Sequence, residues 1–259
     1  MEHLVDWERA EVSRSAHEAS GTDLEQLRVD PKERARYQSP PAETCFPLEY
    51  AYHLVGDVRG KTILDFGCGN GENTLLLAGR GAHVISMDLS ASLIELAKKR
   101  LQINGVDGDI RFMAGSAHNV PLPDESVDLV FGIAILHHLD LALAAKEVYR
   151  LLRKGGRAIF QEPIRNSPTV RMLRKLVPYR APDVSPFERP LTDPELDGFG
   201  AEFKAGRTRS FLLPHVRVAQ KFPLKRQQIR AMYARDAEML NKYPKLRYYA
   251  SIRVFELLK

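Results

Sequence analysis

Between Thr62 and Ala78 the chain reads TILDFGCGNGENTLLLA, and Asp88 follows 17 residues after Gly71. Gly67, Gly69 and Gly71, with Cys68 among them, come directly after an apolar run of strand length that contains Asp65. Glycines let a chain turn sharply at the end of a strand and bring backbone N–H groups close to a ligand. Asp88 closes a second strand-like run, HVISMD, where a carboxylate can accept hydrogen bonds from both hydroxyls of a ribose. Strand, glycines, helix, strand and acid, in that order, describe a nucleoside site.

NAD and S-adenosylmethionine both satisfy this layout, and Asp65 separates them. A diphosphate would lie over the turn and the helix N-terminus, where a carboxylate repels it. S-adenosylmethionine brings an ammonium and a sulfonium and no phosphate. The bland alternative is that Asp65 only steadies the turn. No GK[ST] follows the glycines, so the stretch is not a P-loop.

The elements that must hold these residues read as α/β. From Lys61 onward, strand-length apolar runs alternate with helical patterns, as in βαβ units. The expected strands are TILDF, HVISMD, DIRFMA, VDLVFGIA and RAIFQEP, with helices over 72–79, 91–104 and 141–152. RLLRKGG supplies basic residues and glycine as a stop for the last of these helices. A helix continues through TVRMLRKLV, and PYRAPDVSPFERPLTDPE, with five prolines in 18 residues, reads as a long loop or lid. A strand-like RSFLLPHVRVA, a basic amphipathic helix over 224–242 and a last strand, YYASIRVFELL, complete the chain. The expectation is a doubly wound, Rossmann-like, seven-stranded and mostly parallel sheet. Residues 1–59 form a helical N-terminal cap, 60–163 the binding core, and 164–259 a lid, basic helix and completing strands of the same domain.

At 259 residues, 44% apolar and 27% charged, the chain has the composition of an ordinary globular protein with room for a substantial core. Its two cysteines, Cys45 and Cys68, point to neither a disulfide framework nor a metal cluster and fit a reducing compartment. No apolar run reaches signal-peptide or membrane-span length, so the expected location is the cytoplasm. Net charge is +5, unevenly placed: residues 203–259 carry 14 Lys or Arg against 3 Asp or Glu. Such a region suits an anionic membrane surface, nucleic acid, an acidic substrate or plain solvent. No RNA-binding signature raises nucleic acid above the rest.

The stretches ILDFGCGNG, VISMDLS, VPLPDESVDLVFGIAILHHL and EVYRLLRKGGRAIFQEP resemble the class I S-adenosylmethionine-dependent methyltransferases of the UbiE-like group, over roughly residues 60–163. The resemblance implies that Asp65, Gly67, Cys68, Gly69 and Gly71 surround the methionine end of the cofactor and that Asp88 and Leu89 hold ribose and adenine. That group usually has an acid after the third strand, accepting the adenine amino group. Here Ser116 and Ala117 stand in that place, and a serine hydroxyl accepts the bond more weakly. Ile133, with its neighbours Gly132 and Ala134, would line the space between cofactor and acceptor. The implied reaction moves a methyl group to a small, apolar or lipid-like acceptor and releases S-adenosylhomocysteine. Two alternatives stay open: a non-methylating reaction steered by the sulfonium, and methylation of RNA or protein.

Methyl transfer is an in-line displacement that positioning and desolvation can largely support. His137 and His138 follow strand four on the ligand side of the sheet, where an imidazole, His137 in preference to His138, could take a proton from a hydroxyl or amine. Otherwise LHHL simply opens the next helix. Glu162, ending strand five, binds the acceptor or orders a loop. Tyr37, Phe46, Tyr50 and Tyr52 lie in the expected cap, where packing is the simpler role. The basic C-terminal helix suits either docking on the core or peripheral contact with a membrane.

Overall fold

Seven strands carry the architecture of the computed structural model, which describes residues 2–175, 189–219, 223 and 225–259. They are β1 (Thr62–Phe66), β2 (His83–Asp88), β3 (Ile110–Ala114), β4 (Val127–Ile133), β5 (Leu152–Pro163), β6 (Lys204–Phe211) and β7 (Ile252–Leu258). Their order across one sheet is β3-β2-β1-β4-β5-β7-β6. The first five run parallel, while β7 is antiparallel to both β5 and β6. This is the expected seven-stranded, mostly parallel, Rossmann-like sheet. The chain reverses its direction of travel across the sheet between β1 and β4, and open α/β sheets place ligands at such a switch point, outside the carboxyl ends of the strands.

Helices α1 (Glu2–Gly21), α2 (Pro31–Arg36) and α3 (Pro47–Val55) precede the sheet, and α4 (Glu72–Ala78), α5 (Ala91–Ile103) and α6 (Leu141–Leu151) join its parallel strands. Then come α7 (Pro168–Lys175), α8 (Asp193–Phe199), α9 (Pro214–Ala219) and α10 (Arg226–Lys242). Alternation along the strands builds two cores. Leu64, Phe66, Val130 and Phe160 face one layer, and Ile63, Leu129, Phe131 and Ile159 the other. Each such burial contributes about 1.5–3 kcal/mol. Tyr50, Tyr52, Leu54 and Val55 of α3 pack in the second layer, Tyr52 against Phe131 with ring centroids 5.1 Å apart. These cap aromatics serve packing.

Three expectations change. The glycines of RLLRKGG do not stop α6, which ends at Leu151 and leads straight into β5. Gly155, at φ 76°, sits in the strand's first half, where its N–H reaches the Lys259 carbonyl and the Lys259 N–H returns to Gly156. Secondly, RSFLLPHVRVA is not continuous strand. β6 ends at Phe211, Leu212 turns at φ 62°, and Pro214 opens α9. Proline suits a first helical turn, which has no use for its missing N–H, and the N–H groups of Leu212 and Leu213 donate instead to Asp236 of α10. Thirdly, the last strand starts only at Ile252, since 244–249 form a 3-10 turn. Residues 178–188 of the expected lid lie outside the described residues, as does Leu224.

The segment after α1 is fastened to α5. Arg100 donates to the carbonyls of Asn70 and Leu27, and Asn104 bonds Leu27 and the Val29 N–H. Leu27 packs with Leu93 and Leu96. These contacts fix where α1 lies across the carboxyl ends of β1, β2 and β3.

Candidate functional site

Beyond Phe66 the chain turns back on itself through residues in the left-handed region. Gly67 has φ 76°, and a Cβ there would stand 2.6 Å from the Ile135 side chain. Gly71 caps α4 at φ 82°, with the place of its absent Cβ 2.6 Å from Ala97. Neither close approach tolerates a side chain. The N–H groups of Gly67 and Cys68 donate to the Met87 carbonyl at 3.0 and 2.8 Å, tying the turn to the end of β2. Asp88 completes that tie: its Oδ2 accepts the Gly69 N–H and its Oδ1 the Ser90 N–H, both at 2.9 Å. Burial raises the Asp88 carboxyl above its usual range, against those two backbone bonds.

Asp65 lies behind the turn. It is fully buried and accepts the Thr74 hydroxyl at 2.6 Å, and Thr74 Oγ1 lies 2.8 Å from Ser86 Oγ. Burial pushes its carboxyl up to about 7; the Thr74 bond opposes the rise and the charge of Asp88 adds to it. Cys68, also buried, has its thiol raised by burial. Asp65, Cys68 and Gly71 therefore build the turn from within.

In front of the turn is a cleft of about 220 Å³. It brings together six of the residues expected from the sequence: Gly67, Gly69, Asp88, Leu89, Ala117 and Ile133. His138 and the backbone of Ala134 join them; Ala134 is held at φ 55°, strained for a residue with a Cβ. The opposite wall is α1, which presents Trp7, Glu8, Glu11, Arg14, Ser15 and Glu18. Sequence reading missed all six. Their spacing of three to four residues marks one helical face, yet a polar face reads as solvated until a cleft is found beneath it.

Ser116 stands beside the cleft. Its hydroxyl donates to Glu8 Oε1 at 2.5 Å and accepts the His118 N–H at 3.1 Å. His118 Nδ1 lies 3.2 Å from the same Glu8 oxygen, while its Nε2 accepts the Asp140 N–H at 2.9 Å. The neutral ring therefore carries its proton on Nδ1, toward Glu8.

The two histidines divide. His137 is buried with Nδ1 2.8 Å from Glu162 Oε2, and Glu162, fully buried, also accepts the N–H groups of Ile135 and Leu136 at 2.8 Å each. Glu162 thus orders the turn after β4. His138 packs against His137 with ring centroids 4.1 Å apart and the rings tilted by 42°, and it faces the cleft, its Nδ1 3.2 Å from Glu11 Oε1. Burial acts to raise the Glu11 carboxyl, but His138 and then Arg14 overcome it and hold it at about 2.

Charge decides what such a cleft accepts. Glu8, Glu11, Glu18 and Asp88 line it against Arg14 alone of the basic Lys and Arg residues. Arg14 is itself bonded to Glu11 and Glu18 at 3.1 Å. A diphosphate is repelled here, whereas an ammonium and a sulfonium are attracted. Leu89, Leu93, Ala117, Ile133 and Leu139 give apolar walls for a flat base. The donor set fits S-adenosylmethionine.

Residues 64–160 match the family model for a methyltransferase domain. A demethylmenaquinone methyltransferase of Lactococcus lactis is 31% identical over 137 residues, 51% of this chain and 53% of its own length. A ubiquinone/menaquinone biosynthesis C-methyltransferase UbiE of Bartonella bacilliformis is 33% identical over 111 residues, 40% of this chain and 42% of its own length. Residues 64–160 are thus a methyltransferase domain, similar to the UbiE-like group of class I S-adenosylmethionine-dependent methyltransferases. The chain's matches span about half the length of these relatives. A solved geranyl diphosphate methyltransferase in complex with S-adenosylmethionine shares the fold, with TM-score 0.60 and 18% identity over 93% of this chain and 94% of that one. The matched methyltransferase domain runs from β1 into β5 and holds the turn, Asp88 and both histidines. The α1 wall lies outside it.

Proposed function

We propose that this methyltransferase moves the methyl group of S-adenosylmethionine to a small, apolar or lipid-like acceptor. The observation that carries the reading is the cleft at the switch point, acidic toward α1 and apolar toward β4. When bound, the cofactor supplies an activated methyl carbon open to in-line displacement. Asp88 accepts the ribose hydroxyls, the Gly67–Gly69 backbone borders the methionine end, and Leu89, Leu93 and Ala117 flank the base. The α1 wall excludes water from the reacting pair. His138, on the acceptor side at Ile133 and Ala134, takes the proton of a hydroxyl acceptor, and the Glu11 carboxylate 3.2 Å away favours the imidazolium so formed. Quinone methylation, named for two relatives, is chemistry of this class and supports an apolar acceptor.

The C-terminal region supports contact with an anionic lipid surface. Tyr243, Tyr248 and Tyr249 are 52%, 46% and 43% exposed, and Lys242, Lys245 and Arg247 are exposed beside them in sequence. This run leads into Ile252, which pairs with Pro163 at the carboxyl end of β5. The patch thus borders the same edge of the sheet as the cleft. Amphipathic aromatics among cations suit a headgroup layer. Among the described residues no helix is long and apolar enough to cross a membrane, so contact would be peripheral.

The test is incubation with methyl-labelled cofactor and a panel of hydroquinones, phenols, RNA and protein, read by mass. Label on a small apolar acceptor is expected. Cofactor binding with no labelled product would favour the non-methylating alternative, and label on RNA or protein would replace the proposed acceptor class. Vesicles of phosphatidylcholine with phosphatidylglycerol should retain the protein at low salt, and Tyr248→Ala with Lys245→Glu should release it. Equal binding to neutral vesicles would remove the electrostatic part of the reading.

A further inference from the structure

The end of β3 offers no acid of its own to the cleft, since Gly115, Ser116 and Ala117 follow it. A carboxylate nevertheless stands there, brought by α1. Glu8 Oε1 is held by two donors, the Ser116 hydroxyl at 2.5 Å and His118 Nδ1 at 3.2 Å. The His118 ring cannot turn away without losing the Asp140 N–H on its Nε2, and Ser116 is pinned by the His118 N–H. Both donors use the same oxygen, so Glu8 Oε2 has no protein partner among the described residues while its side chain lines the cleft. Ser116 Oγ already gives one bond and takes one, so it acts as a mount for Glu8.

We infer that Glu8 is the residue that reads the base of the cofactor, its free Oε2 accepting the exocyclic amino group of adenine across the cleft from Asp88. The inference rests on the S-adenosylmethionine reading and deepens it. The geometry suits an amine for a chemical reason: a carboxylate oxygen facing the cleft offers acceptor lone pairs, so it welcomes N–H and repels a carbonyl at the same place. It also makes recognition of the base depend on α1 being docked, because the reading group arrives on that helix more than 100 residues upstream of the site it completes.

Isothermal calorimetry with S-adenosylhomocysteine and S-inosylhomocysteine, which replaces the amine by a carbonyl, separates the possibilities. The wild-type protein should prefer the adenosyl compound by about 10- to 100-fold or more, the range of one charge-assisted hydrogen bond lost. Glu8→Ala should bring the two ligands within a few-fold of each other. Glu8→Gln, whose amide both donates and accepts, should bind the inosyl compound more tightly than the wild type does. Circular dichroism checks that both variants are folded, and Glu8→Gln preserves shape should Glu8→Ala disturb α1. Wild-type discrimination kept intact in both variants overturns the assignment of Glu8 while leaving the cofactor reading standing. Binding of neither compound by the wild type overturns the cofactor reading and the assignment together.

Discussion

His137 and Glu162 meet at 2.8 Å beneath the end of β4, and the same carboxylate accepts the N–H groups of Ile135 and Leu136. One fully buried side chain of β5 therefore fixes the turn that carries Ile135 against Gly67 and His138 into the cleft. Glu162→Ala would strand two backbone donors and take the carboxylate from His137, and each buried unsatisfied group costs about 1–3 kcal/mol. Urea unfolding should show a loss of roughly 3–5 kcal/mol, the scale for breaking a buried charged network. Glu162→Gln, which keeps one carbonyl oxygen for the backbone pair, should lose less. Stability of Glu162→Ala within 0.5 kcal/mol of the wild type, roughly the scale of an ordinary surface change, would show that the turn holds without this acceptor.

Asp65 makes a prediction in pH. Its carboxyl is held up to about 7, chiefly by burial, against an ordinary 3.8 in the unfolded chain. The folded state then binds more protons than the unfolded one between these values, so stability falls as pH rises from about 4 to about 7. Three units at about 1.36 kcal/mol each set the scale at roughly 4 kcal/mol. Asp88 and Asp236, also raised by burial, add slopes of the same sign, so the informative quantity is the difference between wild type and Asp65→Asn. That difference should shift with pH across this window in favour of the variant. A constant difference from pH 4 to 7 would mean that Asp65 is ionised throughout.

The turn's glycines are not equivalent. Gly71→Ala must accept a left-handed backbone, about 1–2 kcal/mol for an ordinary residue, and push a methyl into Ala97 at 2.6 Å. A further 1–3 kcal/mol of overpacking is expected. Gly69→Ala, at φ 53° with open space around its absent Cβ, carries the backbone cost alone, while the residue lines the cleft. Thermal unfolding should rank Gly71→Ala well below Gly69→Ala. Calorimetry on Gly69→Ala should show weakened binding in a folded protein. The reverse ranking would mean that the α4–α5 contact relaxes freely.

The sheet was legible because its strands are local, continuous apolar runs, and with it the place of Asp88, at the end of the second strand beside the glycine turn. Asp65 was legible as an unusual acid but not in its direction. Side-chain period two puts it on the face of Ile63, toward Thr74 in α4, and only the tertiary packing of that helix shows the carboxylate occupied. The bond of Ser116 to Glu8 was not legible, since Glu8 lies 108 residues away. His138 could be told from His137 only once Glu162 had claimed one of them. The Pro214 segment misled because SFLL has strand composition on both sides of a break made by Asp236, which is itself remote in sequence.

Glu11 supplies the last prediction, on the docking of α1. Its carboxyl is brought down to about 2 because His138 and Arg14 outweigh burial. Its Oε1 and His138 Nδ1 approach to 3.2 Å without an aligned hydrogen bond, so the contact works by charge when the imidazole is protonated. A depressed carboxyl contributes stability that is complete above the unfolded value of 4.5 and is lost as pH falls toward 2. Solvent reaches the cleft mouth, so the contribution is about 1–2 kcal/mol rather than the full shift. Trp7, the sole tryptophan, lies on the same helix and lines the cleft, so its emission reports docking directly. In the wild type that emission should change between pH 4.5 and 2, ahead of any loss of far-ultraviolet circular dichroism. Glu11→Gln should show part of the change already at neutral pH and lack the acid step. His138→Ala should weaken docking too, and the double variant should add little to either single one. An acid titration of Glu11→Gln that follows the wild type throughout would show that other contacts, such as those of Leu27 with α5, hold the helix in place.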